Sequence, residues 1–138
     1  MYNLGRRTAL IVEDDMVCMF KVIVLLEKYG FKNFLKAADG EDAVSIYEQA
    51  HTNISLVVMD YMMPNMDGIE ATKRIRKFEN GVGKRNVPII ALTGTKTEDS
   101  CFEAGMDYFL QKPITNAGLE NVLSKIAKDN NFELADAV

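Results

Sequence analysis

Ile54-Ser55-Leu56-Val57-Val58-Met59-Asp60 runs directly into Tyr61-Met62-Met63-Pro64-Asn65-Met66-Asp67-Gly68. The apolar run has the length and composition of a strand. It is continuously apolar rather than alternating, as a strand covered on both faces must be. Pro64 and Gly68 punctuate the loop that follows. Asp60 is thus a carboxylate at the tip of a buried strand, fixed yet reachable, which is what a nucleophile requires.

The same pattern recurs on either side. Ala9-Leu10-Ile11-Val12 precedes a heavily apolar stretch from Met16 to Tyr29 that ends at Gly30. A weaker strand, Phe34-Leu35-Lys36-Ala37, leads to Asp39, which can cap a helix whose inward face is Ala43, Val44, Ile46, Tyr47 and Ala50. Ile69, Ile75 and Phe78 mark the helix after Asp60, and Glu79 to Asn86, with Gly81 and Gly83, reads as a loop. Val87 to Leu92 reads as the fourth strand, Pro88 being tolerable at its start. Its helix is expected from about Thr97 to Ala104, with a stop at Gly105. Asp107 to Gln111 reads as the fifth strand. Leu119, Val122, Leu123, Ile126 and Ala127 form the one-sided stripe of a last helix, and a frayed tail is expected from about Asp129.

Strict alternation of strand and helix predicts an α/β fold with a parallel sheet covered on both faces. Right-handed crossovers then gather every strand's carboxyl end on one edge, where ligands of such sheets bind.

The chain's 138 residues, 48% hydrophobic and 26% charged, suit one soluble domain with a single core. A net charge of -4, with no basic cluster larger than Lys73-Arg74-Ile75-Arg76-Lys77, argues against a nucleic-acid partner. That cluster reads as the solvated face of a helix. No apolar stretch is long enough to span a bilayer, and Met1 to Thr8 lacks the apolar core of a signal peptide, so no membrane partner and a cytoplasmic or nuclear setting are expected. Cys18 and Cys101 make no disulfide framework and are expected to be inert, half-buried thiols. His51, the only histidine, is expected to face solvent, away from the sheet's carboxyl edge.

At that edge the sequence places Glu13-Asp14-Asp15, Asp60, Thr93 and Lys112. Converging carboxylates repel unless a cation sits among them. Hard oxygen donors in small number suit Mg²⁺, for which Mn²⁺ can substitute. Asp14 and Asp60 are the expected direct ligands, Glu13 binds directly or through water, and a backbone carbonyl near Met62 completes the protein's share. Asp60 is the expected phosphoryl acceptor, Lys112 supplies a positive charge to phosphoryl oxygens, and the Thr93 hydroxyl donates to them. Each residue alone has an ordinary structural reading as a helix cap, loop acid or surface lysine. Four strand ends in the right chain order are far more specific. Lys112-Pro113 is a candidate cis peptide.

Val12-Glu13-Asp14-Asp15, Val58-Met59-Asp60-Tyr61-Met62-Met63-Pro64-Asn65-Met66-Asp67-Gly68, Ala91-Leu92-Thr93-Gly94 and Gly105-Met106-Asp107-Tyr108-Phe109-Leu110-Gln111-Lys112-Pro113 together resemble the receiver domain of two-component response regulators. The resemblance covers about residues 7–128, leaving 1–6 and 129–138 as flexible termini. It implies a five-stranded (βα)5, flavodoxin-like fold with strand order 2-1-3-4-5. It also implies Mg²⁺-dependent phosphoryl transfer from a phosphohistidine to Asp60, without turnover of an external substrate. By position Glu13 and Asp14 match the acidic pair, Thr93 the switch hydroxyl, Lys112 the phosphate-binding lysine, and Phe109 the aromatic that swings inward on activation. The implied phosphodonor is a histidine-phosphotransfer protein or histidine kinase, docking over the Asp60 edge and first helix with Met16, Met63 and Met66 as contact candidates. A downstream protein would meet the face made by the fourth helix, fifth strand and fifth helix.

Two departures stand out. Gly94 occupies a position where the family often has alanine. Met62 and Thr95, expected to flank an attacking water, offer neither carboxylate nor amide, so slow hydrolysis of the phosphoryl group is expected. The Met62-Met63-Pro64 loop and the 79–86 segment resemble receivers of hybrid histidine kinases and eukaryotic phosphorelays. No output domain is expected, and the Met1 start favours a stand-alone receiver over an excised one. A haloacid dehalogenase-type hydrolase would need a second aspartate where Met62 stands. A flavodoxin-like cofactor binder would need a glycine- or hydroxyl-rich loop where Glu13-Asp14-Asp15 stands. A degenerate receiver serving only as a protein-binding module is the remaining alternative.

Overall fold

The computed structural model describes residues 7–94 and 98–130. Ten elements alternate: β1 (Arg7–Val12), α1 (Met16–Glu27), β2 (Phe31–Ala37), α2 (Gly40–Ala50), β3 (Ile54–Asp60), α3 (Gly68–Val82), β4 (Ile89–Thr93), α4 (Glu98–Ala104), β5 (Tyr108–Gln111) and α5 (Asn116–Asp129). The five strands form one parallel sheet in the order β2-β1-β3-β4-β5, as expected.

Successive strand residues feed opposite layers. Ala9, Ile11, Leu56, Val58, Ile90 and Leu92 pack with α1 and α5 side chains such as Val22, Leu26, Leu119 and Leu123. Leu10, Val12, Val57, Met59, Ile89 and Ala91 pack instead with Ala43, Tyr47, Ala71, Ile75 and Cys101 from α2, α3 and α4. The period-two alternation of side chains along a strand thus fills two cores at once, which accounts for the unbroken apolar run in β3.

Several sequence expectations need correction. The segment 79–86 is not a loop throughout, because α3 continues to Val82 and ends only at Gly83, whose φ of 70° supplies a left-handed C-cap. Gly81 is carried inside the helix. Glu79 is fully buried, for a reason no periodicity reveals: one oxygen accepts from Arg76 Nη1 (2.8 Å), the other from the Tyr47 hydroxyl and from Val87 N (2.8 Å). Arg76 is not on a solvated face either, since it also donates to Gly105 O (3.0 Å) and Asp107 Oδ2 (2.8 Å).

β2 begins at Phe31, ahead of Phe34, while β4 runs Ile89–Thr93 and β5 starts at Tyr108. α5 includes Asp129 and is capped by Asn130, so the helix extends into the stretch expected to fray. Thr95 and Thr97 lie outside the described residues, as do 1–6 and 131–138. His51 is half-buried rather than fully solvent-facing. Its ring packs edge-on to Phe78 at 5.1 Å, and its Nδ1 is buried without a hydrogen-bond partner among the described residues. Cys101 is completely buried, while Cys18 is half-buried.

Candidate functional site

The parallel register fixes four strand ends side by side. Val12 aligns with Met59, Asp60 with Leu92 and Thr93 with Gln111, so the residues at or just past these positions share one edge. Glu13 N donates to Ala37 O (3.0 Å), Tyr61 N to Leu92 O (2.9 Å) and Lys112 N to Thr93 O (2.8 Å). These bonds carry sheet order one residue beyond the strands and stiffen the backbone that presents the side chains.

The structure brings Glu13, Asp14 and Asp60 together, each offering a carboxylate oxygen within 4.8 Å of the others. Glu13 and Asp60 are buried, whereas Asp14 is exposed at the mouth. Asp15 stands apart as the N-cap of α1, accepting from Val17 N at 2.9 Å. Lys112 Nζ lies 2.9 Å from Glu13 Oε2 and 3.3 Å from Asp60 Oδ1. The Lys112-Pro113 peptide is cis. Thr93, the last residue of β4, is buried, and Phe109 is half-buried against the α2–α4 side of the core. Met62 projects its side chain into solvent.

Three acids facing one lysine leave the cluster short of positive charge. Burial, followed by the neighbouring Glu13 carboxylate, raises the affinity of Asp60 for its proton, against the pull of Lys112. Burial also favours neutral Glu13, but the Lys112 ammonium and the Asp15 N–H outweigh it and hold that carboxyl below its usual range. Lys112 itself is held above the ordinary lysine range, because the Glu13 and Asp60 carboxylates prevail over its burial. The Cys18 thiol, beneath Glu13, is pushed up to about 12 by burial and that carboxylate, so it is not a nucleophile. Hard oxygen donors with excess negative charge are what Mg²⁺ coordinates, and the donor set fits that ion.

The response regulator receiver domain family matches residues 9–124. The chain belongs to that family. Among curated relatives, the receiver is 38% identical over 120 residues to hybrid signal transduction histidine kinase M of Dictyostelium discoideum, covering 85% of this chain and 5% of the kinase. It is 34% identical over 122 residues to two-component response regulator 24 of Arabidopsis thaliana, covering 88% of this chain and 85% of that protein. The chain spans only 7 to 20% of the length of several other curated relatives, hybrid kinases and a transcription factor among them.

Among solved structures, the receiver domain of the Arabidopsis thaliana histidine kinase CKI1, complexed with Mg²⁺ and BeF3-, is 32% identical with a TM-score of 0.78. That match covers 90% of this chain and 91% of the other. The Saccharomyces cerevisiae complex of the histidine phosphotransfer protein Ypd1 with the receiver domain of Ssk1 matches at 28% identity and a TM-score of 0.75, covering 90% and 88% of the two chains. Receiver domains are signalling modules of phosphorelay systems, and this chain is one by fold and sequence.

Some features of the site carry no simple sequence signal. Asp39 and Asn65, far apart in the chain, are hydrogen-bonded across two loops. Met16, Val17 and Phe20 on α1 are largely exposed, while Met63 and Met66 are partly buried against the core. A polar periodicity on α1 would have betrayed which apolar residues face outward, but Lys21 and Glu27 are its only charged residues and set no such period.

Proposed function

We propose that this receiver takes a phosphoryl group from a phosphohistidine onto Asp60 and holds it as a signal. An Asp60 oxygen attacks phosphorus, a P–O bond forms as the P–N bond breaks, and the imidazole leaves with the electron pair. The observation that carries this reading is the buried Asp60 carboxylate beside Lys112 at 3.3 Å, within a cluster of acids that needs a cation.

Asp14, Asp60, Glu13 and the Met62 carbonyl are the proposed holders of Mg²⁺, or of Mn²⁺ in its place. When bound, the ion offsets carboxylate charge and makes the approach of a phosphate tolerable. Lys112 is shared between Glu13 and Asp60 and supplies positive charge to the phosphoryl oxygens. Thr93 accepts the role of switch hydroxyl and Phe109 that of the aromatic that moves with it, so that the α4-β5-α5 face changes for a downstream protein. Residues 7–128 are the proposed functional unit.

No helix among the described residues is long and apolar enough to cross a membrane. A cytoplasmic or nuclear setting is proposed. The proposed donor is a histidine-phosphotransfer protein or histidine kinase. It docks over the Asp60 edge and α1, where Met16, Val17 and Phe20 offer an adaptable apolar surface. Incubation with a small-molecule phosphodonor and Mg²⁺ tests the chemistry by intact mass. One phosphoryl addition on wild type and none on Asp60→Asn is expected, and addition to both would exclude Asp60 as acceptor.

A further inference from the structure

The loop after Asp60 is tied to a second loop by a clasp. Asp39 uses its two oxygens differently: Oδ1 accepts from Asp42 N (2.8 Å) as the N-cap of α2, and Oδ2 accepts from Asn65 Nδ2 (3.0 Å). Asn65 is the one non-glycine residue at positive φ (65°) among the described residues. Asparagine tolerates that conformation and still has an amide to donate. Next to this pair, Gly40 N donates to Met66 O (3.0 Å). The two backbones are so close that a Cβ on Gly40 would lie 2.4 Å from Met66 O. Gly68 N closes the loop's other end on Tyr61 O (3.0 Å). The 61–67 segment is therefore held at both ends, and its outer end hangs on α2 rather than on the sheet. Without the clasp, ordering this exposed segment would fall on the metal-binding event.

We propose that Asp39 and Asn65 are positioning residues that preset the Met62 carbonyl for Mg²⁺, so that α2's N-terminus sets the metal affinity of the Asp60 site. This rests on the reading of Asp60, Asp14, Glu13 and Met62 as the metal's holders. Asn65→Gly leaves the positive φ accessible and removes the amide together with the Cβ, so the Asp39 variant, which leaves the 61–67 backbone untouched, is its control. Asp39→Ser keeps a cap on α2 and removes the acceptor that reaches Asn65.

Calorimetric Mg²⁺ titration of wild type, both single variants and the double variant is the test, with amide hydrogen exchange of residues 61–67 recorded in metal-free protein. Each single variant should weaken Mg²⁺ binding about two- to tenfold, the worth of one hydrogen bond. Exchange across the loop should speed up in parallel, and the double variant should be no weaker than the worse single one. Wild-type Mg²⁺ affinity in Asn65→Gly, or losses that simply add, would overturn the clasp. A wild-type protein that takes up no Mg²⁺ would instead sink the metal reading on which the clasp's role depends.

Discussion

Asp60 is held in a state that disfavours its own charge. Burial and the Glu13 carboxylate push its carboxyl up to about 7, from an ordinary value near 4. The sign follows from linkage: a group that binds its proton more tightly when folded stabilises the fold at low pH and loses that contribution as pH rises through the folded value. Metal-free wild type should therefore lose stability between about pH 4 and 7, while Asp60→Asn should not. At neutral pH the variant should be the more stable by about 1 to 2 kcal/mol, a figure discounted for Lys112 and water at the site. Urea unfolding of both proteins across pH, without Mg²⁺, measures this. Met62 supports a second expectation. Its exposed thioether cannot orient a water, so the phosphorylated protein should decay slowly, and Met62→Asn should shorten the lifetime about tenfold. Radiolabel retention over time gives the answer, and a wild-type half-life of seconds would contradict it.

The elements that were easiest to read from sequence were those governed by a local rule. β3 followed from an unbroken apolar run and α5 from its stripe, and Asp60, Thr93 and Lys112 followed because strand ends are locally marked. α3 defeated the same rules: two glycines signalled a loop, while the decisive bonds to Glu79 come from Tyr47 and Val87 in other elements. Asn65 was equally opaque, because its partner Asp39 is 26 residues away. The Glu79 network makes a direct prediction. Glu79→Leu would strand the Tyr47 hydroxyl and Val87 N–H and remove one carboxylate from Arg76, costing about 3 kcal/mol or more in a chemical denaturation experiment. Because the network lies at the opposite edge of the sheet from Asp60, phosphorylation by a small donor should persist in the folded variant.

Across the whole molecule, the sheet delivers chemistry to one edge and leaves α1 beside it with an uncovered apolar face. If that face receives a phosphodonor protein, Phe20→Glu should slow transfer from it about tenfold while leaving labelling by a small-molecule donor intact, since a central aromatic contact is the usual energetic anchor. Quenched-flow transfer assays separate the two. The central claim is that Asp60 receives phosphate from a phosphohistidine in a Mg²⁺-dependent step. Its most direct test is transfer from a ³²P-labelled phosphohistidine donor protein to wild type and to Asp60→Asn, with and without Mg²⁺. Label should reach wild type only when Mg²⁺ is present and should never reach the variant; equal labelling of the two proteins would contradict the account.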